Sequence, residues 1–202
     1  MTHAAAHPAH PTSTGLDNRK LGFWMFIGSE CLLFTSLIST YLVYKGRSTQ
    51  GPTPQEILNI PITSASTFDL LMSSLAMVLA LAAVARGDRV WSRVWLGATA
   101  FLGLVFLSFQ AYEFTSFVHE GLTITTNLFG STFFTLTGTH GAHVAVGVIW
   151  LLTLLVRSFQ GKLGPDKALN VEIAGLYWHF VDVVWIVIFT VVYLIPAPTP
   201  AG

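Results

Sequence analysis

The chain has 202 residues, of which 52% are apolar and only 10% charged, where soluble domains carry about 25% charged residues. With a mean hydropathy of +0.63, that deficit excludes a soluble enzyme and describes a polytopic membrane protein. Ten basic and ten acidic residues cancel, leaving no basic surface for nucleic acid, and the single cysteine, Cys31, excludes an internal disulfide framework or a cysteine-based metal site.

Residues 1–18 lack periodicity and read as a disordered cytoplasmic tail. The apolar run that follows is too long for a cleavable signal peptide. His3, His7 and His10 are sparse enough to read as solvated side chains of that tail. Residues 19–202 form one domain. A membrane helix needs roughly 20 mainly apolar residues to cross a hydrocarbon core of about 30 Å, and five segments qualify: 21–44, 64–85, 94–114, 128–156 and 171–195. The predicted fold is all-α, a bundle of five transmembrane helices. Arg19, Lys20, Arg86, Arg89, Arg93, Arg157, Lys162 and Lys167 fall on one side of it, and only Lys45 and Arg47 on the other. That bias places the N-terminus in the cytoplasm and the C-terminus outside.

Ionisable groups at membrane depth are costly unless partnered, so each one calls for a reason. Glu30 stands ten residues after Lys20, and Asp182 ten after Glu172. At 1.5 Å per residue both lie about 15 Å deep, near the midplane. His140 is at a similar level, with His143 and His179 nearer the cytoplasmic side. His140 and His143 share one helical face by their spacing of three, as do His179 and Asp182. Three readings stay open: hydrogen bonds that pin the helices together, a proton route at or beside Glu30, or a haem or metal site on His140, His143 and His179. The third lacks thiolates and carboxylates at ligand spacing. The fourth segment carries Gly130, Gly138, Gly141, Ala142, Ala145 and Gly147, which allow close backbone approach and make it the central helix. Phe23, Trp24, Tyr41, Tyr44, Trp91, Trp95, Tyr112, Tyr177 and Trp178 cluster near span ends, as an interfacial belt would.

Four stretches carry a resemblance. GSECLLF at 28–34 resembles the helix of haem–copper oxidase subunit III that holds the family's buried glutamate. QAYEF at 110–114 resembles the end of its following-but-one helix. GSTFFTLTGTHGAH at 130–143 and YWHFVDVVW at 177–185 are similar to the family's strongest motif and its closing signature. Their order is right, and they span about 21–195.

The resemblance implies the short five-helix bacterial form, starting at what is the third helix of seven-helix members. It implies a non-catalytic subunit of an oxidase that reduces oxygen to water in the bacterial plasma membrane. This chain then carries no redox cofactor and no metal; haem and copper sit in partner subunits I and II. Glu30 matches the family's carbodiimide-reactive carboxylate, near the interface with subunit I and its proton-uptake region, in a polar patch with His140 or Asp182. His140, His143, His179, Asp182 and Glu113 become an intramembrane polar network. Arg157 matches a basic position that engages a phospholipid head group, and the positive-inside bias accounts for it equally well. Alternatives are a quinol oxidase subunit III, since the electron donor is chosen on subunit II, or a stand-alone accessory membrane protein of a nitric oxide reductase system.

Overall fold

A computed structural model describes residues 17–48, 51 and 58–195, so the tail with its three histidines lies almost wholly outside the described residues. Five helices long and apolar enough to span a membrane dominate it: α1 (Asn18–Tyr44), α2 (Ile60–Ala85), α3 (Arg89–His119), α4 (Leu128–Phe159) and α5 (Ala168–Phe189). A 3-10 turn, Pro165–Lys167, leads into α5, and a π-helical turn, Thr190–Leu194, ends it. There is no strand among the described residues. The expected all-helical bundle is what the chain forms.

Helices α1, α2 and α3 start a few residues before the predicted apolar run, because polar caps and not hydropathy set their first turns. Helix α4 is capped in the same way at its predicted start, and α5 is led in by the 3-10 turn. Asp17 accepts from the Arg19 N–H at 2.8 Å, so Asn18 already belongs to α1 and not to a tail. Asn59 accepts from Ile62 at 3.2 Å, Asp88 from Val90 and Trp91 at 3.1 and 3.0 Å, and Asn127 from Gly130 at 2.7 Å. Each satisfies amide donors that no helical carbonyl can reach. The α2 and α4 ends close on Gly87 and Gly161, with φ of 76° and 70°. There the next amides turn back, Asp88 to Ala83 and Lys162 to Arg157, both at 2.9 Å. This left-handed closure needs no Cβ.

In a bilayer the apolar effect does not drive helix against helix, so close packing and polar contacts decide the arrangement. Helix α4 packs on α1, α3 and α5, and α5 packs on α1, α2 and α4. The α2–α3 hairpin covers one side of this central pair and α1 lies on the other. The small residues of α4 thus do mark a central helix. Gly147 of α4 and Gly103 of α3 both face the Trp178 indole, where an added Cβ would come within 2.8 and 2.6 Å of the ring system. Helix α1 buries only Ile27, Phe34 and Tyr41, a single stripe at seven-residue spacing.

That packing corrects the aromatic belt. Trp24, Tyr44, Trp91 and Tyr112 are exposed, but Tyr41, Tyr177 and Trp178 are core residues. Their partners come from other helices, which position along the chain does not reveal. Lys45 is likewise no loop charge. It is 7% exposed and donates to the Val191 carbonyl at 2.6 Å and to the Ile195 carbonyl. Burial holds its ammonium below the usual lysine range. It caps the carbonyls at the end of the π-helical turn and ties that end to α1.

Candidate functional site

The site grows from the first two positions of α1's buried stripe. Ile27 and Phe34 turn inward, and Glu30, one turn from Ile27, comes to the seam with α4. Its Oε2 lies 3.1 Å from His143 Nε2. His143 Nδ1 lies 2.8 Å from the Thr139 carbonyl, and a carbonyl only accepts, so Nδ1 carries a hydrogen. Nε2 is then either the acceptor from a protonated Glu30 or the donor, as imidazolium, to its carboxylate. The two forms differ only by the side of the hydrogen bond on which one proton sits. Tyr177 donates to the His143 carbonyl at 3.0 Å, and Phe34 packs edge-on to the ring at 5.1 Å.

Both side chains are partly open, Glu30 by 16% and His143 by 19%. His143 forms part of the wall of an apolar cleft of about 430 Å³ between α1 and α4, with Phe23, Phe26, Val146, Trp150 and Tyr177. Trp150 also bounds a smaller, more polar cleft of 190 Å³ with Arg157, Asn170 and Ile173. There Arg157 is exposed, and Arg19 reaches the Asn170 side chain at 3.5 Å.

The three histidines go to three different neighbours. His140 is fully buried and donates from Nε2 to the Val181 carbonyl at 3.1 Å, with its ring against Trp185 at 4.9 Å and Phe106 at 5.8 Å. His179 meets the Ser74 hydroxyl of α2 at 2.6 Å. Among the described residues no three His, Cys, Asp or Glu side chains converge as a metal site would require. The expected patch of Glu30 with His140 or Asp182 is not formed. The helical phase that brings His143 to α1 turns His140 toward α5, and Asp182 lies with His179 on the α2 side. Asp182 is 3% exposed, and neither carboxyl oxygen has a partner among the described residues.

Helices α2 and α5 are joined by a ladder. Trp178 donates to Ser73 and Trp185 to Thr67, each at 2.9 Å, with the His179–Ser74 contact next to the Trp178 rung. Further along, Thr63 donates to Glu113 at 2.8 Å, and Gln110 donates to the Thr137 carbonyl at 2.7 Å, which joins α3 to α2 and to α4.

The cytochrome c oxidase subunit III profile matches residues 2–196. The chain belongs to that family. It is similar to "Cytochrome c oxidase subunit 3" of Bacillus sp. (strain PS3), 45% identical over 96% of this chain and 93% of the relative. For the protein of the same name in Bacillus subtilis (strain 168) the identity is 43%, over 95% and 94%. It is also similar to "Quinol oxidase subunit 3" of Bacillus subtilis (strain 168), 41% identical over 86% and 85%. Within this subunit III chain the four motif stretches supply Glu30, Gln110, Glu113, His143, Trp178, His179 and Trp185, all side chains that bond between helices. Their partners Thr63, Thr67, Ser73 and Ser74, and the intramembrane Asp69, lie outside the expected site. Hydroxyl residues repeated along 63–74 are the one sequence signal that could have found the ladder.

Proposed function

We propose that this chain is the accessory subunit III of a proton-pumping haem–copper terminal oxidase, which reduces oxygen to water. In this reading the N-terminus faces the cytoplasm of a bacterium, the bundle sits in its plasma membrane, and haem and copper stay on subunits I and II. The chain packs directly on subunit I and contributes no reacting atom. What carries the reading within the family is the Glu30–His143 pair at 3.1 Å on the open α1–α4 seam. A pair that exchanges one proton in place can follow its surroundings without leaving a bare charge in the bilayer. Its role is to keep the neighbouring proton-entry region of subunit I in a competent packing. Relatives named for cytochrome c and for quinol oxidases are similarly close, so either donor fits, the choice lying on another subunit.

The adjoining clefts suit one phospholipid. Its acyl chain lies along Phe26, Val146 and Trp150, and its head group meets Arg157 beside Asn170. The test is mild-detergent purification of this chain from its own membrane, with a reduced-minus-oxidised spectrum and a turnover assay on Glu30→Gln. The expected result is co-elution with a haem-bearing oxidase and, for the variant, an intact complex that inactivates modestly sooner during turnover. A colourless eluate of this chain alone would overturn the reading in favour of a stand-alone accessory protein.

A further inference from the structure

Asp69, unlike the fully enclosed Asp182, is a partly open intramembrane carboxylate that the Glu30 site and the inter-helix ladder leave unused. It stands nine residues into α2, about 14 Å along the axis from Ile60. A helix of 26 residues spans about 39 Å against a hydrocarbon core of about 30 Å, so Asp69 is well below the interface. Its side chain is too short to reach the head groups as a lysine or arginine does. It is only partly buried, and its Oδ2 is shielded yet has no hydrogen-bond partner among the described residues.

The face on which it sits is open. Thr63 bonded to Glu113 sets the antiparallel register of α2 and α3, so Asp69 lies level with the stretch around Leu107. A groove of about 580 Å³ runs there between the two helices, lined by Ile62, Val105, Ser108, Phe109 and Tyr112. Ile62 is seven residues before Asp69 and so on the same stripe of α2. Phe68 and Tyr112 flank this face at 62% and 64% exposure.

We propose that the α2–α3 face around Asp69 is covered in the assembly by a transmembrane helix of another subunit, which presents a hydrogen-bond donor or a cation to Asp69. The inference rests on reading the chain as one subunit of a larger complex. A lipid tail offers Asp69 no donor, and a head group cannot reach its depth. A second copy of this chain offers no intramembrane cation, since all ten of its lysines and arginines lie outside the apolar runs, and a two-fold pairing on this face would set the two Asp69 carboxylates against each other.

The experiment places a photo-reactive benzoylphenylalanine at Met72 or at Ser108 in the assembled complex in its native membrane. Illumination is followed by mild-detergent purification, a haem spectrum and peptide mapping of the adducts. The expected product joins this chain to one co-purifying membrane subunit, within a span that carries Lys, Arg, His, Asn or a hydroxyl residue. Asp69→Leu should lower the yield roughly three- to eighteen-fold, the range of single polar contacts between membrane helices, and Asp69→Asn should keep most of it. Adducts to lipid only, or to a second copy, in an eluate that still shows oxidase haem, overturn the docking face and leave the oxidase reading standing. So does a cross-link to a partner that Asp69→Leu leaves unchanged. An eluate with no partner and no haem overturns both.

Discussion

Lys20 on α1 forms an ion pair with Glu172 on α5, and this contact acts as a ruler for the bundle. The two helices run parallel, so Glu30 and Asp182, each ten residues further on, stand at one depth, about 15 Å beyond the pair. Equal depth does not give them equal surroundings. Glu30 meets His143 at the open seam with α4, whereas Asp182 is shut in at 3% exposure beside the α2 ladder.

Removing either partner of the seam pair should weaken α1 docking. Glu30→Leu and His143→Leu, with the double variant, should give a coupling of about 0.6 kcal/mol and at most about 1.7 kcal/mol. Thermal release of secondary structure in one detergent is the readout. Additive single effects would mean that the 3.1 Å contact carries no interaction of its own.

Gly147→Ala should destabilise the bundle by roughly 1–3 kcal/mol, the usual cost of overpacking, since its Cβ would meet the Trp178 ring at 2.8 Å. Gly28→Ala has nothing within 4 Å and should leave the isolated chain unchanged. The same thermal measurement on both variants separates crowding from a general intolerance of alanine.

Ser73→Ala and Thr67→Ala each strand one indole N–H of α5. Each should cost about 0.6–1.7 kcal/mol, and the matching Trp178 or Trp185 fluorescence should change in each variant. A Thr67→Ser variant keeps the acceptor and should restore most of the loss. No spectral change on Ser73→Ala would refute the 2.9 Å contact.

Lys45→Met should free the carbonyls of Val191 and Ile195 and loosen the last turn of α5. Amide hydrogen exchange across 190–195 is expected to speed by roughly ten-fold, corresponding to loss of about one charge-assisted hydrogen bond. Exchange in α2 should stay as it was.

Arg157→Gln should lower the phospholipid retained after detergent purification without changing subunit content. Mass spectrometry of extracted lipid reads this directly. Retention equal to the unaltered protein would mean that Arg157 serves only the charge bias of its side of the membrane.

Much of this was legible in the chain because the bilayer imposes one-dimensional rules. Apolar runs near the membrane thickness gave five helices, and glycines at 141 and 147 marked the crowded one. Position along the chain misleads wherever a residue's surroundings depend on azimuth. Tyr41 and Trp178 look interfacial by position, yet they point inward. Lys45 counts as a loop charge until α5 is seen beside it. For Glu30, the spacing alone left His140, His143 and Asp182 open, and of these only His143 reaches its carboxylate.

By itself, then, the sequence determined the number of spans, the depth of each buried charge and the family, since hydropathy, helical rise and local motifs are all read along one axis. Only the tertiary structure decided which helices touch, that α4 and α5 form the centre, that three histidines serve three separate seams, and that Asp69 is left half-buried with an oxygen that has no partner among the described residues. Those outcomes follow from close packing and hydrogen-bond satisfaction between helices distant in the chain, and neither is a property of any single segment.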